Sequence, residues 1–344
     1  MIAKYLYIIS IFFLIFKNSV FGIEIEITYD NNFQNINKII ANNQDDSNLI
    51  LKFTDKYYDF SKLNDFSIDI PQRTNISFIG IKSRTRFDFN NDKRGSFVIV
   101  NSQYDIINYA MIFKNCIFRY NELWLFGLEI KCSKNDYPTP NLYFENCDFQ
   151  DNKEILIRSN INKDYVFTEE NKCLKIKIKS CNFNNNRGLF QTENSLLNIE
   201  NCTFTGIQKD SFDEITSSFF YSDKNHQHLI IKDSIFYNIY VNSPYPLIHT
   251  NDIKLEIENT TFSNCHTDYG YLFNIGYNSN INNNVIIKDS KFIDTTSLFQ
   301  GKNYIFKIDN TEFRDFYMKK SISAISDTKF STYYITDTTF ESMK

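Results

Sequence analysis

The chain has 344 residues, with 37 basic and 41 acidic side chains giving a net charge of -4 and no basic block, a balance that offers nucleic acid no electrostatic footprint. Its 34 Phe and 22 Tyr, beside nine Gly and one Trp, exclude a disordered or low-complexity chain. Length alone allows one domain or two, so internal repeats must decide.

The first element is apolar. Lys4 precedes a run from Tyr5 to Phe16 that Lys17 ends, and the small residues Val20 and Gly22 follow. This is the pattern of a secretory signal peptide over residues 1–22, cleaved after Gly22. This run of twelve residues, apolar but for Ser10, falls short of the roughly 20 that cross a bilayer. With no second such run and no lipidation or retention motif, the mature chain is expected to be secreted, extracellular or held at a cell surface, with no membrane span after cleavage.

Residues 23–110 read as a cap and first coils. Phe33, Ile36, Ile39 and Ile40 lie at helical spacing, which predicts a short amphipathic helix covering an otherwise open first coil. Strand-like runs follow at Leu49 to Phe53, Phe66 to Ile70 and Ile76 to Gly80, separated by turn-forming residues.

Residues 111–344 hold nine copies of one frame: two alternating apolar positions, a charged residue, an Asn or Asp, a small residue, any residue, and Phe. Leu197 to Phe204 is the cleanest copy. The Phe recurs at Phe118, Phe149, Phe183, Phe204, Phe236, Phe262, Phe292, Phe313 and Phe340, at intervals of 21 to 34 residues. Five residues before each lies Phe113, Phe144, Ile178, Ile199, Ile231, Ile257, Ile287, Ile308 or Ile335. The period-two alternation is that of a strand with one buried face. An odd separation lets both apolar residues point inward only if the chain bends between them. Asn115, Asn146, Asn201, Asp233, Asn259, Asp289, Asn310 and Asp337, with Ser180 the exception, stand at that bend; Asn and Asp tolerate left-handed backbone angles and their stacked side chains can form a polar ladder. A second short strand follows, with Leu189-Phe190-Gln191 aligned to Leu298-Phe299-Gln300.

The residue before the bend reads Lys114, Glu145, Lys179, Glu200, Lys232, Glu258, Lys288, Asp309. Alternating sign is what stacking consecutive repeats as nearest neighbours favours. A leucine-rich horseshoe needs a steadier repeat length and a recurring helical segment, and neither is present. The fold expected is all-β: a right-handed, single-stranded parallel β-helix, or solenoid, with a short N-terminal capping helix.

With that helix, the run ending in Tyr57-Tyr58-Asp59 and the strand closing on Gly80, the chain resembles the pectate-lyase-like β-helix superfold, and its repeats are similar to those of Asn- and Phe-rich secreted β-helix proteins of eukaryotic microbes. The resemblance implies fold and not activity, since that superfold includes lyases, polygalacturonases, adhesins and phage tailspikes. The Asn-Thr-Asp, Asp-Asp, Gly-His-Gly and Arg-Ile-Lys motifs of polygalacturonase-like members do not occur in place here; Asp45-Asp46 is the sole Asp pair and lies beside the cap helix. Glu145, Lys179 and Glu200 imitate a lyase constellation but belong to the charge column. The chain ends just after a repeat strand without an evident cap, which suits a truncated reading frame or a fragment.

Other chemistry is sparse. His226 and His228 flank Gln227 and are read as a solvated loop rather than a metal pair, while His249 and His266 stand singly. Cys116, Cys147, Cys181 and Cys202 occupy the small-residue position of consecutive coils and are read as a buried thiol ladder; Cys132, Cys173 and Cys265 lie outside it. Sequons fall at Asn75, Asn201 and Asn259, of which Asn75 lies away from the bends and is the candidate glycosylation site. Loops of two adjacent long coils hold Tyr240, Tyr245, Tyr269, Tyr271 and Tyr277 with His266 and Asp268 nearby, a candidate ligand-binding platform for a glycan. The functional expectation is a non-enzymatic protein presenting an extended face to an extracellular polysaccharide or cell-surface protein, without catalytic residues, metal or cofactor. The alternative is a divergent polysaccharide lyase or polygalacturonase-like enzyme.

Overall fold

The computed structural model describes residues 22–343 except 45–47, 73, 102–108, 131–139, 162–173, 208–217, 224–226, 243–244, 278–282, 319 and 322. The signal-peptide segment up to residue 21, Asp45-Asp46, Cys132, Cys173 and His226 lie outside the described residues.

Among the described residues the chain is an all-β parallel solenoid of three sheets, with 12, 11 and 10 strands. Strands before the Asn or Asp bend, such as Leu174–Lys179 and Ser195–Glu200, form the first sheet. Strands carrying the repeat Phe, such as Thr203–Thr205 and Ile235–Val241, form the second. The third collects strands such as Gly188–Gln191 and Ile248–Thr250. Each strand pairs in parallel with its equivalent one coil away, so residues 21 to 35 apart in sequence become vertical neighbours, as in Ile199↔Ile231, Phe183↔Phe204 and Ile76↔Met111.

The predicted cap is present. A 3-10 turn, Phe33–Asn35, leads into the helix Ile36–Asn42, which buries Phe33, Ile36 and Ile40. Asn37 Nδ2 ties the helix to Ser67 O at 2.9 Å. The expected strand from Phe66 to Ile70 instead runs Ser67–Gln72, because a bend over 64–66 swings Phe66 out to 59% exposure.

The bend is a left-handed corner in every repeat. Asn115, Asn146, Ser180, Asn201, Asp233, Asn259, Asp289, Asn310 and Asp337 all have φ between +45° and +57°. Their side chains link coils in pairs, with Asn146 Nδ2 donating to Asn115 Oδ1 at 2.6 Å, Asn259 to Asp233 at 2.7 Å and Asn310 to Asp289 at 2.6 Å. A second left-handed column, not foreseen, stands two residues after each repeat Phe: Tyr120, Asp151, Asn185, Gly206, Asn238, Asn264, Asp294, Asp315 and Ser342, with φ between +51° and +59°. It reverses side-chain parity again, so that the next residue is buried; Asn121, Asn152 and Asn186 at that place form an internal ladder, with Asn152 Nδ2 donating to Asn186 Oδ1 at 2.8 Å.

The small residue after the first corner does more than save space. Its hydroxyl or thiol donates to the carbonyl two residues back, from Cys181 to Lys179 O at 3.2 Å and from Ser234 to Lys232 O at 2.7 Å. The same atom accepts the backbone N–H of the preceding coil, as in Cys147 N to Cys181 Sγ at 3.4 Å and Cys202 N to Ser234 Oγ at 3.1 Å. Ser, Thr and Cys satisfy this geometry; Ala would take the acceptor from the N–H, while the carbonyl would keep its backbone bond from the preceding coil, as Lys179 O does from Asn146 N at 3.1 Å. The five described cysteines are free and buried. Burial pushes the Cys147 and Cys181 thiols well above their ordinary range, and Cys265 up to about 12.

Inside, the repeat Phe rings make one offset stack from Phe118 to Phe340, with successive centroids 4.4 to 5.3 Å apart and interplanar angles of 5° to 14°, an arrangement the ring quadrupoles favour. Outside, the charge column pairs in register as expected, with Lys114 and Glu145 at 2.8 Å, Lys179 and Glu200 at 3.3 Å, and Lys232 and Glu258 at 2.6 Å. These pairs are half-exposed and contribute about 0.2 to 1 kcal/mol each.

Two outcomes are expected. Phe204→Ala empties the middle of the stack, where the ring is fully buried between Phe183 and Phe236, and should cost about 3 to 5 kcal/mol by denaturant titration; a loss below about 1 kcal/mol would contradict the continuous stack. Alkylation of the native protein, read by peptide mapping, should leave Cys116, Cys147, Cys181, Cys202 and Cys265 unmodified until denaturant is added, since burial withholds access to all five.

Candidate functional site

The three sheets present different outer faces. On the first, the charge column consumes its own side chains. On the third, the outward residue after each buried Phe or Ile varies freely: Gly127, Arg158, Gln191, Tyr221, His249, Asn274 and Gln300 are stacked in register.

A groove of about 340 Å³ runs over the early part of this column, lined by Trp124, Gly127, Glu129, Arg158, Gln191, Glu193, Tyr221 and Asp223 among others. That volume lies at the small end of pockets that take organic ligands. Trp124, the sole Trp of the chain, is half-buried and lies against Gly127, where any Cβ would collide with its ring. Glycine at 127 thus makes the seat for the indole. At the other end Tyr221 stacks flat on His249, with centroids 5.2 Å apart and planes 8° apart, and Tyr245 meets both edge-on at 6.2 and 5.8 Å. Among the described residues His249 Nδ1 is buried without a hydrogen-bond partner. Burial pushes this imidazole below its ordinary range while Asp223 pulls the other way; burial, then Asp223, raises the Tyr221 phenol. The groove therefore joins aromatic faces at both ends to an exposed guanidinium, an amide and carboxylates between them.

The tyrosines expected to form one platform fall in three places. Tyr240, 53% exposed on the second sheet, donates to Asp268 Oδ1 at 3.2 Å and pairs in register with His266. His266 Nε2 lies 3.1 Å from Asn264 Oδ1 and 3.5 Å from Asp294 Oδ1. Tyr245 belongs to the Tyr221–His249 cluster. Tyr269 and Tyr271 contact each other at 6.4 Å over the third sheet; Tyr269 donates to Gln300 Oε1 and accepts from Asn274 Nδ2, while the buried Tyr271 donates to Asp327 Oδ2 at 3.2 Å. Tyr277 ends its strand opposite Lys302, and its side chain lies outside the described set. Tyr245 and Tyr269 stand on the equivalent connections from the second sheet to the third on adjacent coils, whereas Tyr277 lies at the far end of its third-sheet strand. Sequence reasoning passed over Trp124, Arg158 and Tyr221. The signal available was the alignment that includes Gln191 and Gln300, which marks the outward column once carried to the longer coils.

Asn75 is half-buried and bonded on both sides of its amide, donating to Asn48 Oδ1 at 2.9 Å and accepting from Ala110 N at 2.7 Å. Asn201 and Asn259 are exposed, each with its amide donating to the neighbouring corner residue. His228 is taken up by Glu256, at 3.1 Å, which Lys254 also meets at 2.7 Å. Among the described residues no group of three or more His, Cys, Asp or Glu is placed to hold a metal ion, and no helix is long and apolar enough to cross a membrane.

No family model matches the sequence and no curated protein matches it. Among solved structures, ORF18 of Geobacillus virus E2 superposes with a TM-score of 0.38 at 11% identity, over 88% of this chain and 57% of that one. The chain thus spans little more than half the length of that protein, and so loose a likeness carries no argument about function.

Glu256 supplies a pH test. The hydrogen bond from His228 first, and Lys254 after it, hold its carboxyl at about 2, against a burial penalty. A depressed carboxylate stabilises the fold fully above its unfolded value and loses that contribution as pH falls through the folded one. Glu256→Gln should therefore lower stability near pH 6 by about 1 kcal/mol after screening, with the difference from wild type shrinking below the ordinary 4.5 and gone near pH 2. A pH-independent difference in denaturant titrations would remove the ion-pair explanation.

Proposed function

We propose that this protein is a secreted, non-enzymatic β-solenoid that binds an extracellular polysaccharide in the groove of its third sheet. The single observation that carries the reading is Trp124 seated on Gly127 at one end of a groove whose other end is Tyr221 stacked on His249. Aromatic faces beside polar groups bind the apolar faces of pyranose rings while hydrogen-bonding partners fix their hydroxyls. Successive coils rise by about 4.8 Å, close to the advance of one sugar in an extended chain, so a linear polymer along the solenoid axis would meet similar spacing at each coil. The N-terminal apolar run supports an extracellular setting, and the repeat frame supports kinship with pectate-lyase-like solenoids such as the Asn- and Phe-rich proteins of eukaryotic microbes.

A second reading is polysaccharide cleavage, which one observation favours: pairing of Gln191 with Tyr221 sets Glu193 and Asp223 at equivalent places on adjacent coils at the groove's edge, and paired carboxylates are the groups that glycoside hydrolysis uses.

Binding of the purified protein to a polysaccharide panel, with assay of reducing and unsaturated ends, tests both. Binding without chain cleavage is expected, weakened about tenfold or more by Trp124→Ala. Release of ends that Glu193→Gln abolishes would establish the enzyme instead, and a bound glycan indifferent to Trp124→Ala would place recognition elsewhere on the solenoid.

A further inference from the structure

We infer that Asn201 and Asn259 carry N-linked glycans whose first sugars cover the exposed pair Ile235 and Tyr237; this rests on the extracellular setting proposed above and not on the groove. Both asparagines open sequons, Asn201-Cys202-Thr203 and Asn259-Thr260-Thr261, the acceptor pattern of secreted chains. Both are exposed, at the corner between the first and second sheets. Side-chain bonds join the corner residues there in pairs. Asn201 Nδ2 donates to Ser180 Oγ at 3.0 Å and Asn259 Nδ2 to Asp233 Oδ1 at 2.7 Å, each toward the preceding coil. A side-chain amide has two N–H groups, and among the described residues the second has no partner at either asparagine. An amide that has gained a sugar keeps one N–H, so the bond to the preceding coil and a glycan can coexist. Asn75 differs: it is half-buried, and Asn48 and Ala110 engage its amide from the coils on either side.

The donor is a lipid-diphosphate-linked oligosaccharide met during secretion. Asn Nδ2 attacks the anomeric carbon of its N-acetylhexosamine: the N–C bond forms, the C–O bond breaks, the lipid diphosphate leaves with the electron pair, and Nδ2 gives up one proton. The folded surface then offers these sugars a seat. Strand Ile235–Val241 lies between the two sequon strands, with Ile235 in register with Thr203 on one side and Thr261 on the other, and Tyr237 with Thr205 and Ser263. Ile235 is 47% and Tyr237 37% exposed, whereas the four positions flanking them bear hydroxyls. Asn201 and Asn259 stand two coils apart, about 10 Å, with Asp233 at the corner between them. An N-acetylhexosamine has an apolar ring face and an acetyl methyl to lay on an isoleucine and a phenol ring, and hydroxyls to meet the threonines. Two apolar side chains in a polar surround are too small a patch for a protein interface and match one or two sugar rings.

The test expresses the full chain, with its own N-terminal run, in a eukaryotic secretory cell line and maps the peptides of the secreted protein after enzymatic release of N-glycans in heavy-oxygen water, which marks each formerly glycosylated Asn. Marks at Asn201 and Asn259 are expected, with Asn75 unmarked. Thr203→Ala and Thr261→Ala should each remove one glycan while the corner asparagine stays. The secreted double variant should bind several-fold more of a hydrophobic dye than the glycoprotein, and adding Ile235→Thr and Tyr237→Thr should abolish the increase. Releasing the glycans from the folded wild type makes the same comparison without substitution, and thermal unfolding shows that each form is folded. Secreted protein with Asn201 and Asn259 both unmarked would overturn the proposal, and dye binding that does not rise when both glycans are lost would overturn the covering of Ile235 and Tyr237. Retention of the wild-type chain inside the cell with residues 1–22 uncleaved would count against the extracellular reading itself; the mature chain behind a foreign signal peptide then decides the two sites alone.

Discussion

Everything in this molecule hangs on a left-handed backbone residue placed at a fixed offset from a phenylalanine. In a strand, side chains alternate, so Ile199 and Phe204, five apart, would face opposite ways. With Asn201 at φ +54° the chain turns a corner and both enter the core. A second such residue, Gly206 at φ +59°, repeats the parity change so that Ile207 is buried too. Two corners per coil set the outlines of the three sheets, and the Phe between them always lands over its predecessor. The ring stack is thus a consequence of the corners and also their reward, since a non-glycine residue at positive φ costs free energy that burial must offset.

The corners also explain which substitutions the repeats tolerate. Asn, Asp and once Ser hold the first corner, and the residue after it is Cys in four consecutive coils, then Ser, Thr, Ser and Thr. Cys and Ser look interchangeable because the position asks for a short side chain that donates back two residues and accepts from the coil before, and a thiol does this less well than a hydroxyl at longer distance: 3.2 Å from Cys181 against 2.7 Å from Ser234. The cysteines are therefore hydrogen-bonding members of the ladder and need no disulfide to account for them.

How legible this was in the sequence follows the same physics. The first corner, the inward apolar residues, the alternating charge column and the helical cap all leave periodic marks, because each coil must satisfy the same contact with the next. The second corner leaves a mark as plain, with Asp, Asn or Gly two residues after Phe in seven of nine repeats, although it lies beyond the Phe that ends the repeat frame. The groove left no periodic mark. Gly127, Arg158, Gln191, Tyr221 and His249 share a column but no chemistry, and inserted loops of unequal length separate them. Tyrosines crowded in sequence are the plainer signal, although Tyr240 lies on the second sheet and Tyr245 and Tyr269 beside the third.

That contrast bears on where function sits in a solenoid. Where stacking dictates the residue, as at Lys114, Glu145, Lys179 and Glu200, side chains are paired with their own equivalents and have little left to offer a ligand. Where the column breaks its pattern, stacking no longer explains the residue and another constraint must. On the third sheet a glycine gives up its side chain to seat Trp124, a guanidinium stands between carboxylates two coils apart, and an imidazole keeps a buried nitrogen that no described residue partners. Two of these choices carry a cost: a side chain given up at Gly127 and, among the described residues, an unsatisfied polar atom at His249. Costs gathered along one face of an otherwise self-complementary rod are what recognition of a ligand outside the chain would demand.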